Sequence, residues 1–286
     1  MAAKLHPNIE LGELKLKISN LERSLKFYEE VIGLKLLKRE GQSAWMTVDG
    51  QTALLVLEEV PGAVIMRPRT TSGLYHFAIL LPTREDLGLS LRRLLEFDIE
   101  VGQADHLVSE ALYLSDPDHN GIEIYRDRPR EEWQYDEQGY VKMTTDPIDW
   151  EGLLELSKDS IWQGMPAGTK IGHVHFHVSD LRKARAFYCD AVGFDVEADI
   201  KRMGALFIGA GGYHHHIGLN IWAGAGAPNP PANATGIEYF TIVFPNETAL
   251  KETLGSLRQA GIAVGEDGGV TFIEDPSGIK VRLKSA

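Results

Sequence analysis

Cysteine is almost missing from this sequence. Cys189 is the single one in 286 residues, so no internal disulfide can form, and its setting in the helical pattern ARAFYCDAVGF reads as a packed, inert thiol. Long apolar runs are missing too: nowhere do eighteen or more apolar residues follow one another, which argues against a membrane-spanning helix. The start, MAAKLHPNIELGELK, lacks a basic segment followed by an apolar run, and a cytoplasmic protein is the expectation. A basic excess is the third absence. Lys and Arg number 29 against 41 Asp and Glu, a formal net charge of -12, and with no basic stripe to offset it, neither nucleic acid nor an anionic membrane is an expected partner.

What is present belongs to an ordinary globular protein. The hydrophobic share of 43% and the charged share of 24% are near average, and the length suits two domains that fold without disulfide or metal staples. The chain also repeats itself. Residues 17–36, KISNLERSLKFYEEVIGLKL, lie over residues 177–196, HVSDLRKARAFYCDAVGFDV. Each reads as a strand, then Asn20 or Asp180 as N-cap, then a helix closed by Gly33 or Gly193. A second pair, GLYHFAILLPTREDLGLSLRRL from Gly73 and GIEYFTIVFPNETALKETLGSL from Gly236, runs on to the turns Asp116-Pro117 and Asp275-Pro276. Short β-like runs follow each helix, so the expected fold is α+β, four βαβββ units. The expected division is 1–127, a crossover over 128–170 without β period, and 171–286.

Strand alternation places the chemistry. GHVHFHVSD puts His173, His175 and His177 on one face and Val174, Phe176 and Val178 on the other. The equivalent strand of unit 1 presents Glu13, Lys15 and Lys17, an ordinary solvated or ion-paired face. In LYHFAILL of unit 2, His76 stands where unit 3 has His173, and in IEIY Glu123 points away from Ile122 and Ile124. Unit 4 has Tyr239 and Arg282 at the matching places. Two imidazoles and one carboxylate leave open positions on a divalent metal, the donor set of non-haem Fe(II) oxygenases, whereas zinc more often recruits thiolate or a third His. His76, Glu123 and His173 are therefore the candidate metal ligands. In DPDHNG, Asp116, Asp118, Asn120 and Gly121 imitate the start of a calcium loop, but Asp127 holds its twelfth position and no flanking helices are expected, so a tight turn is the reading.

The runs SNLERSLKFY and SDLRKARAFY, followed by VIG or VGF, and the segment DPDHNGIE resemble the vicinal oxygen chelate superfamily over nearly the whole chain outside the crossover. That family builds its βαβββ units into curved-sheet barrels and includes glyoxalases, bleomycin-binding proteins and extradiol dioxygenases, so the fold alone does not decide the activity. Within it the chain is similar to extradiol enzymes, and to the Bacillus-type catechol 2,3-dioxygenases in the segments LYHFAILLP and GGYHHHIGLNIWAG. The resemblance implies Fe(II), with Mn(II) as the alternative, and cleavage of a small aromatic diol by O2. It implies His215 as acid-base catalyst, with His106 and Tyr113 as supporting hydrogen-bond donors, and His214 and His216 are expected to point away from His215. Many two-domain extradiol enzymes draw their ligands from the third and fourth units. Here unit 4 lacks them, so units 2 and 3 are expected to pair across the halves, leaving units 1 and 4 as a vacant barrel.

Two other activities stay open at this point: a glyoxalase-like lyase using Ni or Zn, and a non-catalytic binding protein of the bleomycin-resistance type. Trp45, Trp162, Phe207 and Trp222 are candidates for either the substrate pocket or the core. A homo-oligomer is likewise open.

Overall fold

The computed structural model describes residues 4–286. Unit 1 comprises β1 (Glu10–Ile18), α1 (Leu21–Lys26), β2 (Lys35–Glu40), β3 (Ser43–Thr47) and β4 (Ala53–Glu59). Unit 2 comprises β5 (Gly73–Leu80), α2 (Arg84–Glu96), β6 (Gly102–Asp105), β7 (Ser109–Ser115) and β8 (Gly121–Asp127). The crossover carries α3 (Trp150–Leu156). Unit 3 follows with β9 (Lys170–His177), α4 (Leu181–Arg185), β10 (Asp195–Ile200), β11 (Ala205–Gly209) and β12 (Ile217–Asn220). Unit 4 has β13 (Gly236–Phe244), α5 (Glu247–Gln259), β14 (Gly265–Asp267), β15 (Val270–Glu274) and β16 (Lys280–Ser285). The expected α+β fold of four βαβββ units is observed.

The helices begin where short polar side chains satisfy the first free amides. Asn20 Oδ1 accepts from Arg23 N at 2.8 Å, and Asp180 Oδ1 accepts from Arg182 N at 2.8 Å. Both helices run on into a π-helical turn, Phe27–Ile32 or Ala186–Val192, which ends at Gly33 (φ 88) or Gly193 (φ 109). Glycine takes that left-handed conformation without steric penalty. In these turns Tyr28 and Tyr188 are fully buried. Tyr28 OH donates to Asp116 Oδ2 at 3.0 Å and Tyr188 OH to Asp275 Oδ2 at 3.2 Å. Each half of the chain is thus tied internally, unit 1 to 2 and unit 3 to 4.

The sheets are built the other way. One has the order β14-β15-β16-β13-β1-β4-β3-β2, from units 4 and 1; the other, β10-β11-β12-β9-β5-β8-β7-β6, comes from units 3 and 2. At their centres β1 lies antiparallel to β13 and β5 antiparallel to β9, so the cross-pairing expected from the ligand positions is present. Both sheets are assembled across the expected boundaries at 127 and 171.

Alternation along the central strands sends Val174 and Phe176 of β9, and Phe240 and Ile242 of β13, into one continuous core. Phe176 meets Phe240 at 5.3 Å between ring centroids, so the two sheets contact through their apolar faces. A fully buried side chain of this size contributes about 1.5–3 kcal/mol. The crossover is pinned to both halves: Met165 N donates to Gly33 O and Val141 N to Glu197 O, both at 2.9 Å. Among the described residues no helix is long and apolar enough to cross a membrane.

Candidate metal centre

Three adjacent strands bring the candidate ligands to one face. In the register of β5 with its neighbours, Ala78 stands opposite Glu123 of β8 on one side and His173 of β9 on the other, and His76 lies two residues earlier on β5. Ala78 itself is fully buried beside Ala111 and Tyr125. The turn before β8 fixes the approach. Asp116 Oδ1 accepts from Asp118 N at 2.8 Å and Asn120 N at 2.9 Å, a self-satisfied turn of the kind read from the sequence. Next comes Gly121, where an added Cβ would lie 2.0 Å from Tyr75 O and 3.1 Å from His76 Cβ. No other residue lets β8 close on β5 there.

His76 Nε2 and His173 Nε2 both lie 3.0 Å from the same carboxylate oxygen, Glu123 Oε2. All three side chains are buried, and their donor atoms fall within 4.8 Å of one another, an arrangement that can hold a metal ion. The contact from His76 has the distance of a hydrogen bond without its direction, and His76 Nε2 and Glu123 Oε1 are left with no partner in the protein. Buried orphans of this kind are uncommon and need an explanation. A divalent ion held by His76, Glu123 and His173 would supply one. The protonation states suit this. Burial alone would raise the Glu123 carboxyl, but His173 and His76 beside it hold it well below the ordinary carboxylate range. Burial pushes His173 down against the pull of Glu123. Anionic carboxylate and neutral imidazole are the metal-binding forms.

Around this cluster lie the other expected residues. His106 Nε2 is 2.7 Å from Tyr113 OH, and His106 Nδ1 is 2.6 Å from Thr144 O, so the crossover supplies the carbonyl that orients the ring. Tyr113 stands opposite Glu123 across β7 and β8. Burial, then the Glu123 charge, push its hydroxyl well above its usual range. His215 packs against His173, with ring centroids 4.2 Å apart. Burial, then His173 and His214, push its imidazole well down.

His214 departs from expectation. Rather than pointing away, its Nδ1 lies 2.7 Å from His215 Nδ1 and its Nε2 2.8 Å from Asp127 Oδ1. These residues precede β12 in a loop, where strand alternation does not apply. His216 does turn away, its Nδ1 accepting from Ala210 N at 3.2 Å.

Sequence reasoning left several neighbours out. Asn220 joins His175 and His177, donating to His175 Nε2 at 2.9 Å and meeting His177 Nδ1 at 2.6 Å. Tyr75 packs on His76, His175, His177 and Trp222 with centroids 5.0–5.3 Å apart. Phe207 lies 5.0 Å from His215. Of the four aromatic candidates, Phe207 and Trp222 thus border the cluster. Trp45 instead lies under Lys38 in the other sheet, and Trp162 sits beside Arg93. The period of two along IEIYRD was the available signal for Tyr125 and Asp127, which share the face of Glu123.

Comparison with known proteins agrees with this architecture. The family model of the Glyoxalase/Bleomycin resistance protein/Dioxygenase superfamily matches twice, over residues 11–124 and 170–283. A catechol-2,3-dioxygenase of Bacillus subtilis (strain 168) is 51% identical over 272 residues, 95% of either chain. Among solved structures, a putative dioxygenase from B. subtilis superposes with a TM-score of 0.66 at 11% identity, covering 99% of this chain and 86% of that one. Glyoxalase I from Zea mays does so with a TM-score of 0.54 at 15% identity, covering 96% and 92%. At those identities the structures speak for the fold alone. On the double family match and the 51% identical relative, the chain belongs to the Glyoxalase/Bleomycin resistance protein/Dioxygenase superfamily.

Proposed function

We propose that the protein is an extradiol dioxygenase that cleaves catechol or a substituted catechol with O2 to a 2-hydroxymuconate semialdehyde, using Fe(II) held by His76, Glu123 and His173. The carrying observation is the buried pair of imidazoles converging on one carboxylate oxygen, with orphaned donor atoms, in a chain 51% identical to a catechol-2,3-dioxygenase. Held there by the two imidazoles and the carboxylate, the ion would supply Lewis-acid and redox chemistry toward the diol and O2. Mn(II) accepts the same donors.

The protein's own part is geometry, proton handling and exclusion of water. His215, packed against His173, is suited to take a proton from a diol hydroxyl and return it later, because a neutral imidazole is the form its burial favours. Tyr113 acts on the opposite flank. Thr144 O accepts from His106 Nδ1–H, which leaves His106 Nε2 to meet the Tyr113 hydroxyl. Turned from that contact, the Tyr113 O–H is a donor for a substrate oxygen. Such a preorganised donor in a dry site contributes about 2–4 kcal/mol. Tyr75, Phe207 and Trp222 supply apolar surface for the flat ring.

The test is oxygen uptake and a yellow ring-opened product from catechol, with protein loaded anaerobically with Fe(II) and with His76→Ala and Glu123→Ala as controls. Activity in the parent and its loss in both variants is the expected result. Bound metal without turnover of any catechol would favour a lyase, and absence of metal binding a non-catalytic binding protein.

A further inference from the structure

Behind His215 a hydrogen-bonded line leads away from the metal cluster. His215 Nδ1 meets His214 Nδ1 at 2.7 Å, and His214 Nε2 meets Asp127 Oδ1 at 2.8 Å. The other carboxylate oxygen, Oδ2, accepts from Tyr213 OH at 2.9 Å, and Tyr213 OH lies 2.7 Å from Tyr125 OH. His214 is fully buried, with Trp133 against its ring at 5.2 Å between centroids. Asp127 keeps 23% of its side chain exposed and borders a cavity of about 470 Å³ on this outer side.

With one hydrogen on each imidazole ring and Asp127 ionised, the positions of those hydrogens follow from the contacts. A carboxylate only accepts, so His214 Nε2 carries hydrogen and His214 Nδ1 is a lone pair. Two lone pairs cannot share a 2.7 Å contact, so His215 Nδ1 carries hydrogen and donates to His214. The remaining nitrogen of His215, Nε2, is then unprotonated, and among the described residues it has no hydrogen-bond partner. Glu123, Tyr125 and Asp127 alternate along one face of β8, so a single strand carries both the carboxylate of the cluster and the one that ends this line.

We infer that Asp127 and His214 are positioning residues that hold His215 in the Nδ1–H tautomer, leaving Nε2 as the free base for substrate. The use made of that base rests on the dioxygenase reading, whereas the tautomer does not. Asp127→Asn offers one amide oxygen where two donors, His214 Nε2–H and Tyr213 O–H, now meet carboxylate oxygens. A wrong tautomer is costly wherever an imidazole base is oriented by a carboxylate, even when the geometry survives.

The test has two readouts on the full chain. Two-bond 1H–15N correlation spectra of metal-free protein labelled at histidine, with His215 assigned from its loss in His215→Gln, report the tautomer directly. Steady-state kinetics of the Fe(II) enzyme report its consequence. The parent is expected to show His215 protonated at Nδ1 alone. Asp127→Asn and His214→Ala should lose that pattern and lower kcat about 100-fold, with KM within about threefold. His214→Asn places Oδ1 where the imidazole Nδ1 was, so it should restore the tautomer and about tenfold of the lost kcat. An Nε2–H tautomer in the parent overturns the inference, as does an unchanged His215 pattern in both Asp127→Asn and His214→Ala, however stability changes. A parent with the expected tautomer that turns over no catechol overturns the dioxygenase reading and leaves the positioning line standing.

Discussion

In the sheet of units 2 and 3, His76, Glu123 and His173 meet on the central strands. In the sheet of units 1 and 4, the corresponding places hold Tyr239, Arg282 and Glu13. There Tyr239 OH donates to Glu13 Oε1 at 2.8 Å, Arg282 approaches the same oxygen at 3.5 Å, and its guanidinium lies 3.9 Å over the Tyr239 ring. The second sheet therefore carries its own cation, a guanidinium, and its three groups satisfy one another. The first sheet has a carboxylate, two imidazoles and buried polar atoms without a partner, His76 Nε2, Glu123 Oε1 and His173 Nδ1. One duplicated scaffold thus gives a self-neutralised barrel and a barrel that lacks a cation, and three side chains make the difference.

The largest effect is expected from importing the second sheet's cation into the first. Glu123→Arg should abolish metal binding by elemental analysis and lower oxygen uptake by more than about 1000-fold; an enzyme that keeps its metal would break the comparison. Next, Tyr113→Phe should retain the metal while kcat falls about 100-fold, since it removes one preorganised donor. A kcat within twofold of the parent would remove Tyr113 from the chemistry.

A smaller effect concerns stability. Asp275, in the turn before β16, is buried, and burial raises its carboxyl to about 6 from 3.8. The folded state therefore holds this proton more tightly than the unfolded chain. Stability from this group is highest below pH 4 and declines as pH rises from about 4 to 6, by about 2 kcal/mol after allowance for relaxation. Asp275→Asn should remove that decline, seen as a flatter difference in denaturant midpoint between pH 4 and 7; a profile parallel to the parent's would contradict the burial cause. The smallest effect belongs to Arg282→Ala. Half-buried pairs of this kind contribute about 1 kcal/mol, so Tm should fall by a few degrees with kcat unchanged within twofold.

Much of this was legible in the residues. Asn20, Asp180, Gly33 and Gly193 announced the helix ends, and the repeats announced four units. The cross-pairing followed from asking where a third ligand could come from, once Tyr239 and Arg282 were seen in unit 4. The strand period found His173 and Glu123, and extended by four residues it would have found Asp127. What stayed hidden depends on irregular backbone. The loop before β12 has no period to say that His214 turns toward His215, and the π-helical turns carry no separate pattern. Thr144 and Asn220 are joined to their histidines by contacts 38 to 45 residues apart in sequence.

The most direct measurement is anomalous diffraction at the iron edge from crystals of the protein loaded anaerobically with Fe(II). The account predicts one peak per chain, bonded to His76, Glu123 and His173, and none among Glu13, Tyr239 and Arg282. A peak in the second sheet, or none in the first, would contradict it.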